Sequence, residues 1–325
     1  MSASSKPIRI AVIGAGHHSR TFHLPALAHY RHLHPNVVTL AGLADPDVGA
    51  TAAAAGKFGF ESFFATMEEM LEKARPDACL ALTPATLNAG TTLRLAQRGL
   101  PVLMEKPLGA TIEEARLLVA SLRGLNARVM VSMNRRFDPL LRDALAWIGS
   151  RPIHSIKALM TRRARVEPEF VEHTGVHVVD VARMIGGEVK TCSALRREVA
   201  GIGWFEARLS FASGATGIVE LMPTFGSSGE SLEIAGPNYR CKVRSREFDC
   251  GDWRAWVDGR LVAGESIPPT RPVFIANGAL AETDAFVQAL RGDRTFSPAP
   301  ADVLPSMELC HTIAHAQSAN QENVP

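Results

Sequence analysis

The chain has 325 residues, of which 46% are hydrophobic and 21% charged, which is typical of a globular protein long enough for two domains. The formal net charge of +2 is too small to indicate a nucleic-acid groove or an anionic membrane surface as partner. No apolar run is long enough to span a bilayer, and the first residues lack the apolar core of a signal peptide. We therefore expect a cytoplasmic protein.

The cysteines favour a reducing compartment as well. There are 5 of them, an odd number, and no pair has C-x-x-C spacing. We therefore expect neither a disulfide framework nor a zinc ribbon. The cysteines are Cys79, Cys192, Cys241, Cys250 and Cys310.

Buried strands and helices alternate in the first half of the chain. Most strand candidates are short apolar runs, and glycine or a turn residue closes several of the segments. Strands are predicted at Ile8–Ile13, Val37–Ala44, Ala78–Leu82, Val102–Met104 and Val129–Ser132, with helices from about Ser19, over Val48–Ala55, over Leu87–Arg98 and from Thr111. This alternation predicts an α/β domain with a doubly wound parallel sheet.

A glycine-rich turn follows the first predicted strand. Gly14 and Gly16 allow a tight turn in which backbone amides approach a pyrophosphate at a helix N-terminus. Ser19 stands where a third glycine is common and is small enough to pack close to the sheet. The same loop would carry His17 and His18 beside the phosphates. The sequence therefore predicts a dinucleotide site here.

Asp45 ends the second predicted strand. A carboxylate at this place accepts hydrogen bonds from ribose hydroxyls and repels a 2′-phosphate. Asp47 is nearby and no arginine follows the strand directly, so NAD is favoured over NADP as the cofactor. The alternative is that Asp45 is only a turn residue before Pro46.

The tripeptide Glu105-Lys106-Pro107 follows another buried strand. Open α/β sheets place their ligand crevice at the carboxyl ends of the strands. A buried ammonium group is costly unless it faces an anion or polar partner. We therefore expect Lys106 to face a cofactor, a substrate or a carboxylate; the alternative is a surface salt bridge.

Several histidines lie near the N-terminus, but they do not predict a metal site. His29, His32 and His34 fall on a helix end and loop without nearby cysteine or carboxylate ligands. We interpret them as surface residues and predict no metal.

The pattern changes from about Arg135 to long alternating strands. Helices are predicted over Asp138–Ile148, Glu172–Met184, Gly278–Leu290 and Val303–Ala316, and strands at Ile153–Arg163, Trp204–Phe211, Thr216–Met222, Ser231–Ala235, Tyr239–Val243 and Arg254–Val257. This indicates a second α/β domain with a large open, mostly antiparallel sheet. We place the dinucleotide-binding domain at residues 1–133 and the substrate-binding and oligomerisation domain at residues 134–325.

Three polar residues recur on one side of the predicted helix Glu172–Met184. His173, His177 and Asp180 are separated by four and three residues, which puts them on one helical face among apolar neighbours. A functional cluster is favoured over packed core histidines. A zinc hydrolase built on these three side chains is an alternative, but it would leave the glycine-rich turn unexplained.

The combination resembles the Gfo/Idh/MocA family of sugar and cyclitol dehydrogenases. The matching elements follow the family's order over most of the chain: Gly14-Ala15-Gly16, His23-Leu24-Pro25-Ala26-Leu27, Thr83-Pro84, Glu105-Lys106-Pro107, Asn134-Arg135-Arg136-Phe137, and Gly175-Val176-His177 with Asp180. The resemblance implies a Rossmann domain, NAD as cofactor and hydride transfer to or from a secondary hydroxyl.

The resemblance also implies residue roles. Lys106 would polarise the reacting hydroxyl, and His177 would accept its proton. The expected cofactor-binding residues are Gly14, Gly16, His17, His18, Asp45, Thr83, Pro84, Asn88, Glu105 and Lys106. The expected substrate-binding residues are Asn134, Arg163, His173 and His177.

Two positions depart from the family pattern. The family commonly has an aspartate four residues before the histidine, where this chain has His173 beside Glu172. Three outcomes are open: a different substrate contact, a relay through Glu172, or loss of redox activity. Asn88 stands where the family often has histidine, and we expect this change to affect cofactor-side contacts.

Two further expectations concern function and assembly. A non-catalytic nucleotide- or sugar-sensing protein on the same fold is the alternative to an enzyme, because fold alone does not establish chemistry. The predicted helices are too few to cover both faces of the second sheet. We therefore expect a homodimer or homotetramer that associates through the free face, which carries Trp204, Ile218 and Met222.

Overall fold

A computed structural model describes residues 6–245 and 251–317. The chain folds into two compact units. The first comprises the described residues up to Asn134 together with Gly278–Leu304, and the second comprises Arg135–Asn277 and the described chain from Pro305. Cys79, Cys192, Cys241 and Cys310 are free thiols, whereas Cys250 lies outside the described residues.

The first unit contains a parallel sheet of six strands in the order β3-β2-β1-β4-β5-β6. This is the doubly wound order predicted from the alternating pattern, and it reverses direction between β1 and β4, where such sheets bind their ligands. The fold prediction is therefore confirmed for this unit. The strands are β1 (Ile8–Ile13), β2 (Val38–Ala44), β3 (Phe63–Phe64), β4 (Ala78–Ala81), β5 (Val102–Glu105) and β6 (Val129–Ser132).

Side-chain caps begin several helices of this unit. Asp47, Thr66 and Thr111 each accept a hydrogen bond from a backbone N–H in the first helical turn. The short strand β3 and the helix α3 were not predicted, because two residues and eight residues give too little periodic signal. The helices are α1 (Leu24–Leu33), preceded by a π-helical turn over Ser19–His23, α2 (Val48–Phe58), α3 (Met67–Ala74), α4 (Ala85–Gln97) and α5 (Ile112–Gly124).

The segment Gly278–Leu304 packs with the first unit, although the sequence pattern groups it with residues 134–325. Its helix α9 (Ala279–Arg291) contacts α1. The rings of Phe286 and Phe296 pack 6.0 Å apart, and the backbone N–H of Val131 donates to the carbonyl of Pro298 at 2.8 Å. These contacts join residues far apart in sequence, and the order of helices and strands gives no sign of them.

The second unit is built on an eight-stranded sheet in the order β14-β13-β12-β11-β7-β10-β9-β8. The pair β7–β10 is parallel and all other neighbours are antiparallel, so the predicted large, mostly antiparallel sheet is confirmed. The strands are β7 (Ser155–Thr161), β8 (Val189–Val199), β9 (Ile202–Phe211), β10 (Thr216–Met222), β11 (Gly229–Gly236), β12 (Tyr239–Arg244), β13 (Asp252–Val257) and β14 (Arg260–Ser266).

One face of this sheet is buried and the other is not. Burial alternates along β10, β11 and β12, and Ala207, Leu209 and Phe211 of β9 are buried as their alternation predicts. Helices α6 (Pro139–Ile148) and α7 (Val176–Gly186) contact the strands. The edge strands β8 and β14 were not predicted, because their residues are mostly exposed or only partly buried and lack a buried apolar face.

Short helical turns flank the helices of the second unit. A 3₁₀ turn covers Asn134–Phe137, and a π-helical turn over Val171–Gly175 runs directly into α7, so the predicted helix Glu172–Met184 contains a change of hydrogen-bond spacing. The remaining helices are α8 (Val273–Ala276) and α10 (Pro300–Ala314). Over residues 6–245 and 251–317, no helix combines the length and apolar character needed to cross a membrane.

Candidate active site

The turn after β1 requires glycine at its first position. Gly14 has φ +103°, and a Cβ added there would lie 2.1 Å from the carbonyl oxygen of Leu82. Its N–H donates to the carbonyl of Ala44 at 2.8 Å. Gly16 and the two histidines that follow it, His17 and His18, are exposed. The turn is therefore packed tightly at its base and open at its tip, as a phosphate-binding loop requires.

The carboxylate of Asp45 holds this turn. Its Oδ2 accepts from the N–H of Ala15 at 2.8 Å, and its Oδ1 accepts from the N–H of Asp47 at 3.0 Å. A carboxylate oxygen has more than one acceptor site, and Asp45 is only partly buried. Asp45 therefore stabilises the turn, and its carboxylate oxygens can still accept further hydrogen bonds, for example from ribose hydroxyls.

A buried carboxylate and two imidazoles meet beneath the glycine-rich turn. Glu105 Oε1 lies 2.7 Å from Nε2 of His23 and 3.3 Å from Nε2 of His18. His23 is 1% exposed and Glu105 is 7% exposed. Burial raises the pKa of Glu105, but the hydrogen bonds and charges of His18 and His23 outweigh it and hold that pKa well below its usual range.

The two histidines differ in their surroundings. Within the described residues, Nδ1 of His23 is buried without a hydrogen-bond partner. Its Nε2 contacts Glu105 at 2.7 Å. The His18 side chain, in contrast, is 52% exposed. His18 is therefore the imidazole of the pair that solvent and a ligand can reach.

Lys106 follows Glu105 in a turn whose backbone is hydrogen-bonded both before and after the lysine. The N–H of Lys106 donates to Glu105 Oε2 at 3.1 Å. The side-chain amide of Asn88 donates to the carbonyl of Pro107 at 2.7 Å and also to that of Glu105. Thr83 contacts Oδ1 of Asn88 at 3.4 Å. The backbone around Lys106 is therefore fixed before any ligand binds.

Asn88 and Glu105 were predicted to contact the cofactor, and the structure gives their side chains other contacts. Asn88 is fully buried and Glu105 nearly so. Their polar atoms meet the two histidines and the backbone next to Lys106. Both side chains therefore bind protein groups in this structure, and their contact with the cofactor stays a prediction. Thr83 is partly buried, and Pro84, which precedes α4, is exposed.

A second buried carboxyl group lies in the same unit. Glu282 of α9 is fully buried and accepts from the hydroxyl of Ser132 at 2.9 Å. Burial, followed by the negative charge of Glu105, raises the pKa of Glu282 well above its usual range. Of the two carboxyl groups, Glu105 is thus the ionised one and Glu282 the neutral one.

The second unit has its own buried ion cluster. Arg135 donates to both oxygens of Glu230, Nε to Oε2 at 2.6 Å and a terminal nitrogen to Oε1 at 3.1 Å. Arg162 donates to Glu230 Oε1 at 2.5 Å. Burial raises the pKa of Glu230, but Arg135 and Arg162, and to a lesser degree His177, lower it far below its usual range. Glu230 is therefore an anion, and His177 lies within its electrostatic reach.

Glu230 lines a cavity of about 50 Å³ between the sheet and the helices, together with Arg135 and Asp138. That volume accommodates a few water molecules, not a sugar. Asp138 caps α6 by accepting from the N–H groups of Leu140 at 2.9 Å and Leu141 at 3.4 Å. Burial raises its pKa to about 6, although the charge of Arg135 and these two N–H groups lower it.

Asp180 does not join the two histidines of its helix. Both of its oxygens accept from Arg136 at 2.7 Å, and Oδ1 also accepts from Ser306 at 2.7 Å. Asp180 is fully buried, whereas His173 and His177 are partly buried. The three predicted ligands of a zinc hydrolase therefore do not form one set, because the π-helical turn alters the spacing and an arginine occupies the carboxylate.

Glu172 is held by another histidine. Its Oε1 lies 3.0 Å from Nδ1 of His311 on α10. Of the remaining predicted substrate contacts, Asn134 is buried at the start of its 3₁₀ turn. Arg163 is exposed after β7, and its N–H donates to Ser228 Oγ at 3.2 Å.

Several residues that organise these clusters were not predicted from the sequence. His23 begins the motif His23-Leu24-Pro25-Ala26-Leu27, and its place before a proline-containing helix start was a usable signal. Glu230, Arg162 and Glu282 had no such signal. Their partners lie 68 to 150 residues away, and no local pattern marks them.

The chain is similar to known proteins in both sequence and structure. Residues 8–133 match the Gfo/Idh/MocA family, described as an oxidoreductase family with an NAD-binding Rossmann fold. The rhizopine catabolism protein MocA of Rhizobium meliloti is 26% identical over 95% of this chain and 93% of its own length. The scyllo-inositol 2-dehydrogenase (NAD(+)) of Bacillus subtilis is 26% identical over 67% of this chain and 68% of its own length.

Solved structures share the fold along nearly the whole chain. A dehydrogenase from Chromobacterium violaceum has a TM-score of 0.84 at 18% identity and covers 95% of both chains. A myo-inositol dehydrogenase from Corynebacterium glutamicum has a TM-score of 0.75 at 21% identity, covering 94% of this chain and 95% of its own.

The family match identifies the first domain. Residues 8–133 are a Gfo/Idh/MocA oxidoreductase domain, which confirms the resemblance seen in the motifs. NAD as the cofactor and a dehydrogenase as the class of enzyme are confirmed with it.

Asp138 provides a test of the electrostatics of the second unit. Because its pKa is raised to about 6 in the folded protein, its stabilising contribution is full below the unfolded value of 3.8 and is lost as the pH rises through about 6. The difference in pKa corresponds to about 3 kcal/mol. Asp138→Asn does not titrate. Its free energy of unfolding relative to wild type should therefore increase by up to about 3 kcal/mol between about pH 4 and pH 7.5, measured by urea unfolding.

Asp138→Ala is the matched control. It removes the helix cap and should cost about 1 kcal/mol more than Asp138→Asn at both pH values. A difference between Asp138→Asn and wild type that stays constant with pH would contradict the raised pKa.

Proposed function

We propose that the protein is an NAD-dependent dehydrogenase acting on a secondary hydroxyl of a sugar, cyclitol or sugar derivative. The supporting relatives are named scyllo-inositol 2-dehydrogenase (NAD(+)), D-apiose dehydrogenase and rhizopine catabolism protein MocA. The observation that carries the proposal is the turn at Lys106, whose flanking backbone is fixed by Glu105 and Asn88 at the carboxyl end of β5. A lysine cation carried on that backbone would suit a reaction in which negative charge develops on oxygen.

The residues at the glycine-rich turn fit NAD. The backbone N–H groups around the exposed Gly16 would face the pyrophosphate, the exposed His18 would lie beside it, and Asp45 would accept from the ribose hydroxyls. When bound, NAD supplies the nicotinamide carbon that accepts hydride. We also propose that the remaining predicted cofactor-binding residues, His17, Thr83 and Pro84, contact NAD.

The proton chemistry falls to Lys106 and His177. Lys106 would stabilise the alkoxide that develops on the substrate, and His177 would accept the hydroxyl proton. Glu230 lies within electrostatic reach of His177, and Arg135 and Arg162 compensate its charge.

His173 is proposed as a substrate contact. A relay from His177 through Glu172 would require Glu172 to give up its hydrogen bond with His311. Asn134 and Arg163 complete the proposed substrate-binding set. Arg163 is exposed and can turn toward a ligand on the loop after β7.

The cysteines support a cytoplasmic protein, which we also propose. Burial raises the pKa of the Cys79 and Cys241 thiols to about 12, so both are unreactive at neutral pH. Thiols that remain reduced and are not paired suit a reducing compartment.

A substrate screen tests the proposed activity. Polyols, aldoses, cyclitols, uronates and nucleotide sugars are each mixed with the protein and NAD, with NADP in parallel, and NADH formation is followed by absorbance. At least one polyhydroxy compound should reduce NAD. Binding of NAD and sugars without turnover of any of them, in either direction, would favour the non-catalytic sensing protein instead.

The catalytic pair gives the first kinetic prediction. Lys106→Ala should lower kcat about a hundredfold or more, because the developing alkoxide loses its cation. His177→Ala should lower kcat by about two to four orders of magnitude, because the reaction loses its base. Affinity for NADH should change little in either variant, as measured by fluorescence titration. Lys73→Ala and His154→Ala, at exposed positions, are the matched controls and should retain full turnover.

His173→Asp separates the interpretations of that position. A substrate contact predicts a changed KM or a changed substrate preference with activity retained. An inactive wild type that stays inactive in this variant would instead indicate a decayed site. Full turnover in both Lys106→Ala and His177→Ala would contradict the mechanism.

Cofactor preference follows from Asp45. NADH should bind at least about tenfold more tightly than NADPH, since a 2′-phosphate would meet a carboxylate, and a tenfold ratio corresponds to about 1.4 kcal/mol. Asp45→Asn should reduce that ratio, whereas Asp143→Asn, at an exposed position of α6, should preserve it. The measurement is calorimetric titration. Equal or tighter NADPH binding by the wild type would refute the assignment.

The open face of the second sheet supports a homo-oligomer. Trp204 packs its ring 5.8 Å from that of Phe225, which is 50% exposed, and Ile218 and Met222 are only partly buried on β10. We propose that a second copy covers this face, giving a dimer or tetramer with a light-scattering mass two or four times 35.0 kDa. Ile218→Glu should lower the mass, whereas Leu117→Glu, at an exposed leucine of α5, should not. A wild-type mass of one chain would disprove it.

A further inference from the structure

Three side chains of the second unit form a cluster that the proposed reaction does not use. Glu172 lies in the π-helical turn before α7, His311 lies in the last turn of α10, and His315 follows that helix directly. Each offers one atom that can bind a metal, and these atoms lie within 4.8 Å of one another. The two histidines are four residues apart, so they share one face of the helix end.

The hydrogen bond of His315 fixes its tautomer. Its Nδ1 lies 2.8 Å from the carbonyl oxygen of His311. A carbonyl oxygen can only accept, so Nδ1 carries the proton and Nε2 has a free lone pair. Metal-binding histidines commonly donate their other ring N–H to a backbone carbonyl in this way, which orients the ring for the metal.

The remaining two side chains have the separation that a metal requires. Nδ1 of His311 lies 3.0 Å from Oε1 of Glu172. Zinc binds imidazole nitrogen and carboxylate oxygen at about 2.0–2.2 Å, so neighbouring ligands of a tetrahedral ion are about 3.4 Å apart. The rings of His311 and His315 are 4.1 Å apart between centroids. With all three ligand atoms within 4.8 Å of one another, the groups are close enough to share one ion.

We propose that Glu172, His311 and His315 bind Zn²⁺, with water in the fourth position. Two imidazoles and one carboxylate suit zinc better than Mg²⁺ or Ca²⁺, which prefer oxygen ligands. Access is open, because the side chain of His311 is 39% exposed and that of Glu172 is 24% exposed. No metal was predicted from the sequence, because His311 and His315 are about 140 residues from Glu172.

A bound ion would act on the proposed substrate helix. Glu172 directly precedes His173 in the turn that begins α7, and α10 also supplies Ser306 to the buried carboxylate of Asp180. The ion would replace the hydrogen bond between Glu172 and His311 by metal–ligand bonds. These bonds would connect α10 to this segment in addition to the contact between Ser306 and Asp180. Zinc should therefore stabilise the folded protein and restrict the position of His173.

Titration of the metal-stripped full-length protein with Zn²⁺ tests the site. Calorimetry should show one tight site per chain, and the thermal midpoint should rise with Zn²⁺. Glu172→Gln, His311→Ala and His315→Ala should each weaken the affinity about tenfold or more and remove most of the rise. His32→Ala, at an exposed histidine of α1, should leave both unchanged.

The second candidate group in the described residues, His18 with His23 and Glu105, supplies a discriminating control. His18→Ala should not affect zinc affinity if the proposal is correct. The absence of a tight site, or a tight site that survives all three substitutions and disappears in His18→Ala, would overturn it. The thermal midpoint of each variant is first measured without metal and should equal that of the wild type. His315→Gln replaces His315→Ala if that variant fails to fold.

Discussion

The buried carboxylate of Glu105 is the group on which the nucleotide-binding unit depends. An ionised carboxylate out of contact with water costs several kcal/mol unless donors surround it. Glu105 has His18 and His23 on one oxygen and the N–H of Lys106 on the other. Because His18 belongs to the glycine-rich turn and Lys106 follows β5, this one anion links the proposed pyrophosphate contact to the proposed catalytic cation.

The neighbouring carboxyl group explains why this charge can remain ionised. Two adjacent buried carboxylates cannot both be ionised at low cost, and the proton stays on Glu282, which has fewer donors. The helix α9 therefore contributes a neutral polar group to the first unit. This accounts for an acidic residue in a fully buried position of a segment that crosses over from the second half of the chain.

The second unit also contains a buried carboxylate that is held ionised by its donors, which here are arginines and not histidines. Glu230 receives three donated hydrogen bonds from Arg135 and Arg162, so it is ionised throughout the physiological pH range. Removing one partner of such a buried cluster leaves a charge without compensation. The pair Arg136 and Asp180 anchors α7 in the same manner. Asp180, which the sequence groups with two histidines as a functional cluster, thus holds a helix in place, and its carboxylate is occupied by Arg136.

This division marks the limit of what the sequence could predict. Hydrophobic patterns and turn residues sufficed for the two sheets apart from the strands β3, β8 and β14, because burial of one face dictates a period of two along strands. The helical spacing of His173, His177 and Asp180 did not suffice, since the π-helical turn changes the hydrogen-bond period where a regular helix was expected. Asp180 shows the second reason: its partners Arg136 and Ser306 are 44 and 126 residues away, and only the folded chain brings them together. The replacement of an aspartate by His173 becomes interpretable only at that level. Glu230 is a carboxylate within electrostatic reach of His177, but Arg135 and Arg162 compensate its charge, so the cluster does not replace an aspartate at position 173 by charge alone. The substrate contact proposed for His173 is therefore a separate hypothesis from the orientation of His177.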